Sequence, residues 1–455
     1  MSVPRLLAWK AGALLTAALA CVLAPVSPAA AGSGASSTRL SNGMEIVVIP
    51  DRRLPIVTHM VFYRAGAADD PAGKSGLAHL LEHLMFKATR TLASGEFSRI
   101  ITMIGGRDNA YTTHDTTHYF QRVAKEHLPR VMALEADRMV NLALDAKEVL
   151  IERDVVREER RSTIEANPLV LLAEQMAAAL YLNHPYGRPA IGWPRELEAL
   201  KHEDATAFYR THYAPNNAII VVAGDVTFDE VAALAGSTYG RVAAVSPAGV
   251  RMRPNKPDGI ATRRVMMEDA RAPSDSLFRF YLADSYATGS HGRAEALEAL
   301  MYILGGDESS RLHRQLVGRD VANVASASYQ SNMRDGGRVS FAAIPRDGVS
   351  LQACETALDA VILDVLNTGV TEAELARAKA VLHAQAVFDA DNKAVLARKV
   401  GEAMANGITL RDFDAREERL SALTIMDLQA AAKSTFIPKH SVTGLLKPAK
   451  KGPGG

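Results

Sequence analysis

The sequence predicts an α+β protein made of two similar domains, each of roughly 200 residues. Three observations carry that expectation. At 455 residues, the chain is too long for one hydrophobic core. Each half holds strand-like runs rich in Val, Ile and Thr beside amphipathic helical runs, and the second half begins again with strand, helix and Gly-Gly. A weak repeat also closes the two halves. HYAPNNAIIVVAGDV (212–226) ends the first and TFIPKHSVTGLLKPA (435–449) the second, with Pro215 and Pro438, and Tyr213 and Phe436, each 223 residues apart.

The N-terminus reads as a targeting segment. Arg5 and Lys10 precede the uncharged run AGALLTAALACVLAPV (11–26), and Ala29-Ala30-Ala31 supplies an A-x-A cleavage site before Gly32. Residues 1–31 are therefore expected to be a cleaved secretory signal. The mature chain would be periplasmic or secreted, with no stable membrane anchor. Cys21, in ALAC, weakly suggests a lipoprotein signal, but the apolar run continues past it. Residues 32–37 read as a flexible Gly/Ser tether. Cleavage leaves Cys354 as the one cysteine, so no intramolecular disulfide is expected, and its amphipathic surroundings make it a small buried residue. A net charge of +1, from 52 basic and 51 acidic residues, gives no reason to expect nucleic acid or an anionic membrane surface as a partner.

The first domain is expected over 38–245. TRLSNGMEIVVIPDRRLPIVTHMVFYRAGA reads as two strands, with Asn42-Gly43 a hairpin turn. GEFSRIITMIGG (95–106) is a helix ended by Gly105-Gly106. DNAYTTHDTTHYFQRVA (108–124) is strand-like, and LPRVMALEADRMVNLAL (128–144) an amphipathic helix. A long helical region follows at 145–182, broken near Asn167-Pro168, and AIIVVAGDV (218–226) is a buried strand. Residues 246–262, rich in Pro, Gly and basic residues, read as an interdomain linker. A second domain is expected over 263–449, with a disordered tail at 450–455.

The chemistry concentrates in LAHLLEHLMFKAT (77–89). The stretch lacks Gly and Pro and should be helical. His79 and His83 are four apart, so their imidazoles can converge on one point, and Glu82 sits beside it. Two convergent imidazoles suit a divalent metal, zinc above all. A carboxylate next to a metal-activated water can take its proton. The order H-x-x-E-H would arise about 0.02 times by chance in a chain of this composition. His291, His313, His383 and His440, in the second half, are scattered and form no such set. A catalytic zinc wants a third protein ligand. EVLIERDVVREERRSTIEANP (148–168) offers Glu152 and Glu159 on one helical face, seven apart. Periodicity neither chooses between them nor excludes Glu158.

HLLEHLMFKAT followed by IERDVVREE resembles the inverzincin peptidases of the pitrilysin, insulysin and mitochondrial processing peptidase family. GGRDNAYTTHDTTHY, HPYGRPAIG and, in the second half, GGDESSRL (305–312) match as well. The resemblance implies two homologous domains, each a mainly antiparallel sheet covered by helices, facing each other as a clamshell around an internal chamber. It implies a zinc-dependent endopeptidase acting on short extended peptides, with one zinc per chain. The family's third ligand lies some 76 residues beyond the second histidine, which selects Glu159. Glu152 then matches its supporting glutamate, and Glu82 the general base. Asn109, Ala110, Tyr111 and Thr112 match the edge strand to which a peptide adds through main-chain bonds.

One departure stands out. Active members commonly carry an Arg and a Tyr, seven apart, shortly after the SSRL motif, and a gap-free reading puts Val317 and Val324 there. Neither donates a side-chain hydrogen bond, while Arg314, Arg319 and Tyr329 fall out of register. The resemblance then implies the zinc subunit of a heterodimer, whose sister chain lacks H-x-x-E-H and supplies the Arg/Tyr substrate clamp. A self-sufficient homodimeric peptidase and a non-catalytic scaffold subunit are the alternatives.

Overall fold

The structure, a computed structural model, describes residues 32–245, 251, 253–254, 259–290 and 292–449. The expected signal segment, most of the expected linker and the tail lie outside the described residues.

The first sheet has six strands: β1 (Ser36–Arg39), β2 (Glu45–Pro50), β3 (Ile56–Tyr63), β4 (Arg107–Thr112), β5 (Thr117–Ala124) and β6 (Ala218–Gly224), in the order β1-β2-β6-β3-β5-β4. The second has five: β7 (Arg263–Asp269), β8 (Ser276–Ala283), β9 (Ala322–Gln330), β10 (Gly337–Pro345) and β11 (Ser441–Pro448), in the order β7-β11-β8-β10-β9. The second order repeats the first without β1. In each sheet the closing strand runs parallel to the opening one, β6 on β2 and β11 on β7, and all other pairings are antiparallel. The repeat read from the sequence is thus a repeat of topology.

The stretch from Thr38 to Ala67 corrects one expectation, since it holds three strands and not two. The residues before Asn42-Gly43 form β1, and the turn is closed by Leu40 and Met44. The tether expectation for 32–37 is corrected as well. Ser36 and Ser37 pair with Val48 and Val47, and the Ser33 amide donates to Asp414 Oδ1 at 2.8 Å.

The helices that matter here are α1 (Leu77–Leu84), α2 (Glu96–Met103), α3 (Leu128–Asn141), α4 (Ala146–Arg160), α5 (Pro168–Tyr181), α6 (Arg293–Gly305), α7 (Leu351–Thr368), α8 (Glu372–Asp391) and α9 (Lys393–Ala405). The break near Asn167-Pro168 falls between α4 and α5. Asn167 caps α5 by accepting from the Leu169 amide at 3.0 Å, and Pro168 takes the first helical position, where no amide is missed. Cys354, in α7, is free and buried. Among the described residues no helix is long and apolar enough to cross a membrane.

Alternation along the strands explains how the halves join. On the first sheet Ile46, Val48, Val61, Ile220 and Val222 face the helices of their own half, including α1, α3 and α4. Their neighbours Val47, Ile49, Phe62, Ile219 and Val221 face the other way, onto Leu396, Ala397 and Val400 of α9, a helix of the second half. Gly401 is required there, because a Cβ on it would lie 2.1 Å from the Phe62 ring. On the second sheet Leu277, Tyr281 and Leu445 pack on α6 and α7, while Phe280, Val442 and Leu446 pack on Leu172, Met176 and Leu180 of α5, a helix of the first half. Each sheet therefore borrows a helix from the other half, and the two covered faces turn toward each other. Fully burying each such Leu or Val is worth about 1.5–3 kcal/mol, so these two shared cores bind the halves firmly.

The expected linker is only partly described. The side chains of Arg251 and Arg253 within it are only 6% and 8% exposed. Arg253 Nη1 reaches Asp115 Oδ1 of the first half at 2.5 Å and Asp335 Oδ2 of the second at 2.7 Å.

Candidate metal centre

Helix α1 starts where Gly76, at φ 90°, turns the chain into it. A side chain at Gly76 would be strained by that φ and would also meet the Ile191 carbonyl oxygen at 2.6 Å. Asp70 caps the helix, accepting from the Gly76 and Ala78 amides at 2.8 Å each. On this anchored helix the rings of His79 and His83 have centroids 4.9 Å apart. Their Nε2 atoms lie 3.6 and 3.5 Å from the same oxygen, Oε2 of Glu159 in the last turn of α4. One ligand atom from each of these residues lies within 4.8 Å of the others, the one such His/Cys/Asp/Glu group of three among the described residues.

The remaining glutamates separate cleanly. Glu152 Oε2 is 3.4 Å from His83 Nδ1, on the side of the ring away from Glu159, and Glu152 Oε1 takes a 2.6 Å bond from Lys87. That is the arrangement of a group orienting a ligand. Glu158 is exposed and paired with Arg161. Glu82 is buried and accepts a 2.6 Å bond from Thr112 Oγ1. Burial above all pushes its carboxyl up to about 7, with the Glu159 charge adding to the shift. A carboxyl near neutrality can both take and return a proton.

The donor set fits a zinc ion. Burial, and then the neighbouring His83, pull the His79 imidazole down to about 3, so it stands neutral with a lone pair to give. Two imidazole nitrogens and a carboxylate oxygen at one point form the N₂O set typical of zinc. Neither approach to Glu159 is a normal hydrogen bond, and His79 Nδ1 is buried without a hydrogen-bond partner.

Some supporting groups left no sequence signal. Arg160, next to Glu159, is buried and donates to both oxygens of Glu174 on α5 at 2.8 and 2.9 Å. This pair locks the end of α4. A π-turn over Arg161–Glu165 follows directly, a feature common beside functional sites.

The residues matched to substrate binding lie on β4, the outermost strand of its sheet, which pairs only with β5. Asn109 is exposed, Ala110 buried and Tyr111 51% exposed, while Thr112 ties the strand to Glu82. The second sheet ends in the corresponding edge strand, β9, where Val324 is 47% exposed. Val317 sits in the turn His313–Val317 just before it. Two of the three out-of-register candidates are engaged elsewhere, Arg314 with Glu374 at 3.2 Å and the Tyr329 hydroxyl with the Asp284 carbonyl. A cavity of about 450 Å³ opens beside His79, Thr112 and Glu159 and is lined as well by Gln330, Met333 and Arg338 of the second half.

The fold is that of the two-domain M16 peptidases. Residues 46–192 match the family model described as insulinase (peptidase family M16), and residues 199–382 match the peptidase M16 inactive domain. The chain belongs to the M16 (pitrilysin/insulysin) peptidase family. It is similar to the zinc protease PqqE of Helicobacter pylori, at 29% identity over 90% of this chain and 92% of the relative. A crystal structure of a protease from Helicobacter pylori superimposes with a TM-score of 0.84 at 27% identity, covering 91% of this chain and 99% of the other. The periplasmic protease PqqL of Escherichia coli shares the fold, with a TM-score of 0.77 at 20% identity, and there 91% of this chain covers 47% of the other.

Proposed function

We propose that this chain is a zinc-dependent endopeptidase for short extended peptides and the zinc-bearing subunit of a heterodimer. The observation that carries the reading is the convergence of His79, His83 and Glu159 beside the buried carboxyl of Glu82. His79, His83 and Glu159 would hold one zinc. When bound, zinc supplies a Lewis acid that polarises a carbonyl and lowers the pKa of water. Glu82 takes the proton of the attacking water and returns it to the leaving amine, its own acidity tuned by burial. Thr112 holds Glu82 in position and links it to the edge where peptide binds. Glu152 orients His83 through Nδ1. Asn109, Ala110, Tyr111 and Thr112 pair with the substrate main chain, so recognition depends on an extended backbone more than on sequence.

We assign the peptidase domain to 38–245 and a homologous inactive domain to 263–449, and we propose that the mature chain acts in the periplasm or beyond it. The heterodimer rests on Val317 and Val324, which leave no donor where the family's Arg/Tyr pair would stand. It is supported by the engagement of Arg314 and Tyr329 in other contacts. The Escherichia coli fold neighbour is about twice as long as this chain, and a sister chain would supply the remainder. The test is hydrolysis of a quenched fluorescent peptide of about ten residues by the mature chain, with and without a candidate sister subunit. Activity only with the sister supports the two-chain reading. Full activity alone replaces it with a self-sufficient enzyme, and bound zinc without cleavage in either case replaces it with a scaffold.

A further inference from the structure

Two carboxylates, Glu159 and Glu174, and two guanidiniums, Arg188 and Arg338, line the cavity beside the candidate metal centre. Glu159 is turned to the histidine pair, and Glu174 is held at both oxygens by Arg160. Neither carboxylate is spare. Arg188 lies against the carbonyls of Ala68 and Pro71, 3.5 Å away. Arg338, on β10 of the second half, stacks over the Phe280 ring at 4.2 Å and has no ion pair with any acid among the described residues. Its Nε is buried without a hydrogen-bond partner. Asp335, three residues earlier, is taken up by Arg253 and His184. Val170, Ile191 and Met333 give the cavity apolar wall, while His114, Thr163 and Gln330 add uncharged polar groups.

We propose that Arg338 receives a carboxylate of the peptide substrate in this cavity. The inference rests on the peptidase reading and adds a substrate class to it. A half-buried guanidinium with its Nε out of water and no anion beside it carries a cost that a ligand carboxylate relieves. The fork of donors matches a carboxylate with two parallel bonds, and the stack on Phe280 holds the fork flat. Burial draws on the Arg338 proton, but an arginine remains charged at any physiological pH. Thr112 lines the same cavity, so a peptide added along β4 runs directly past it. The carboxylate could be an acidic side chain near the scissile bond or the peptide's own C-terminus.

Binding tests this without requiring turnover. The mature Glu82→Gln chain, together with the sister chain, is titrated with three labelled peptides of one sequence. The first carries Glu at its central positions and an amidated C-terminus, the second Gln and an amidated C-terminus, and the third Gln and a free C-terminus. One acid-bearing peptide should bind about tenfold tighter than the neutral one, the usual scale of a charge-assisted pair. Which one does so identifies the source. Arg338→Gln should bring that difference within about twofold. Equal binding of all three peptides, binding of none, or discrimination that survives Arg338→Gln overturns the assignment. Cleavage of the neutral peptide by the chain with Glu82 intact reports separately on the peptidase reading.

Discussion

In the first half the helix that follows β3 presents His79, Glu82 and His83 toward α4. In the second half the helix that follows β8 buries Ala299, Leu300, Ile303 and Leu304 completely and carries no histidine. The surrounding parts are alike, down to a closing strand parallel to the opening one and an exposed edge strand, β4 or β9. What differs is a handful of side chains on one helix and one edge. Thr112 ends β4 with a bond to the candidate base, whereas β9 offers Val324 to solvent. One architecture thus carries a candidate metal centre in one half and a packed wall in the other, because function resides in groups set on a fold and not in the fold itself.

The comparison breaks most sharply at Glu82. Glu82→Gln keeps the shape and the Thr112 contact but removes the base, so turnover should fall about 10²–10⁴-fold while metal content by elemental analysis stays unchanged. Undiminished turnover would return the first half to the status of the second. Next come the acids of α4. Glu159→Ala should strip metal from the purified protein. Glu152→Ala, which frees only the outer side of His83, should weaken metal affinity about 10–100-fold, and Glu158→Ala should leave it untouched. Metal lost from the Glu158 variant, with the Glu159 variant still loaded, would reverse the assignment.

The geometry also sharpens the comparison, because the halves differ in chemistry yet share two cores. Leu172→Ala removes a first-half side chain from the second sheet and should cost about 2–5 kcal/mol. Val400→Ala does the reciprocal with a smaller loss. Each should lower a single unfolding transition in calorimetry, and two separate transitions would show that the halves stand apart. The smallest effect is expected at Glu374 on α8. Burial opposes its charge, but the bonds from Arg311 and the Thr371 amide outweigh burial and pull the carboxyl down to about 2. Its stabilising contribution is full above the ordinary value of 4.5 and fades as pH falls toward 2. The melting temperature of the wild type should exceed that of Glu374→Gln at pH 6 and approach it near pH 3. A gap that stays constant across that range would remove Glu374 from the account.

Groups close in sequence and on one helical face were the legible ones. His79, Glu82 and His83 declare themselves by spacing, and the strand 218–224 by its unbroken apolar run. Spacing alone left Glu152, Glu158 and Glu159 open, and the resemblance was needed to separate them. Contacts between distant segments carry no local period. Asp70 caps a helix from six residues before it, Thr112 reaches back 30 residues to Glu82, and Arg160 meets Glu174 only because the chain turns between α4 and α5. The amphipathic pattern of α5 and α9 announces a buried face without naming the sheet that covers it. Arg251 and Arg253 read as solvated linker from composition, yet Asp69, Asp115 and Asp335 neutralise them in the joint between the halves.

The exchanged helices set a timetable for the growing chain. The first sheet is complete in sequence once Gly224 has been made, but the cover for its second face, α9, ends at Ala405. At roughly 5–20 residues per second, Val47, Phe62, Ile219 and their neighbours wait about 10 to 35 s for that helix to emerge. Until then the first half cannot close over that face of its sheet.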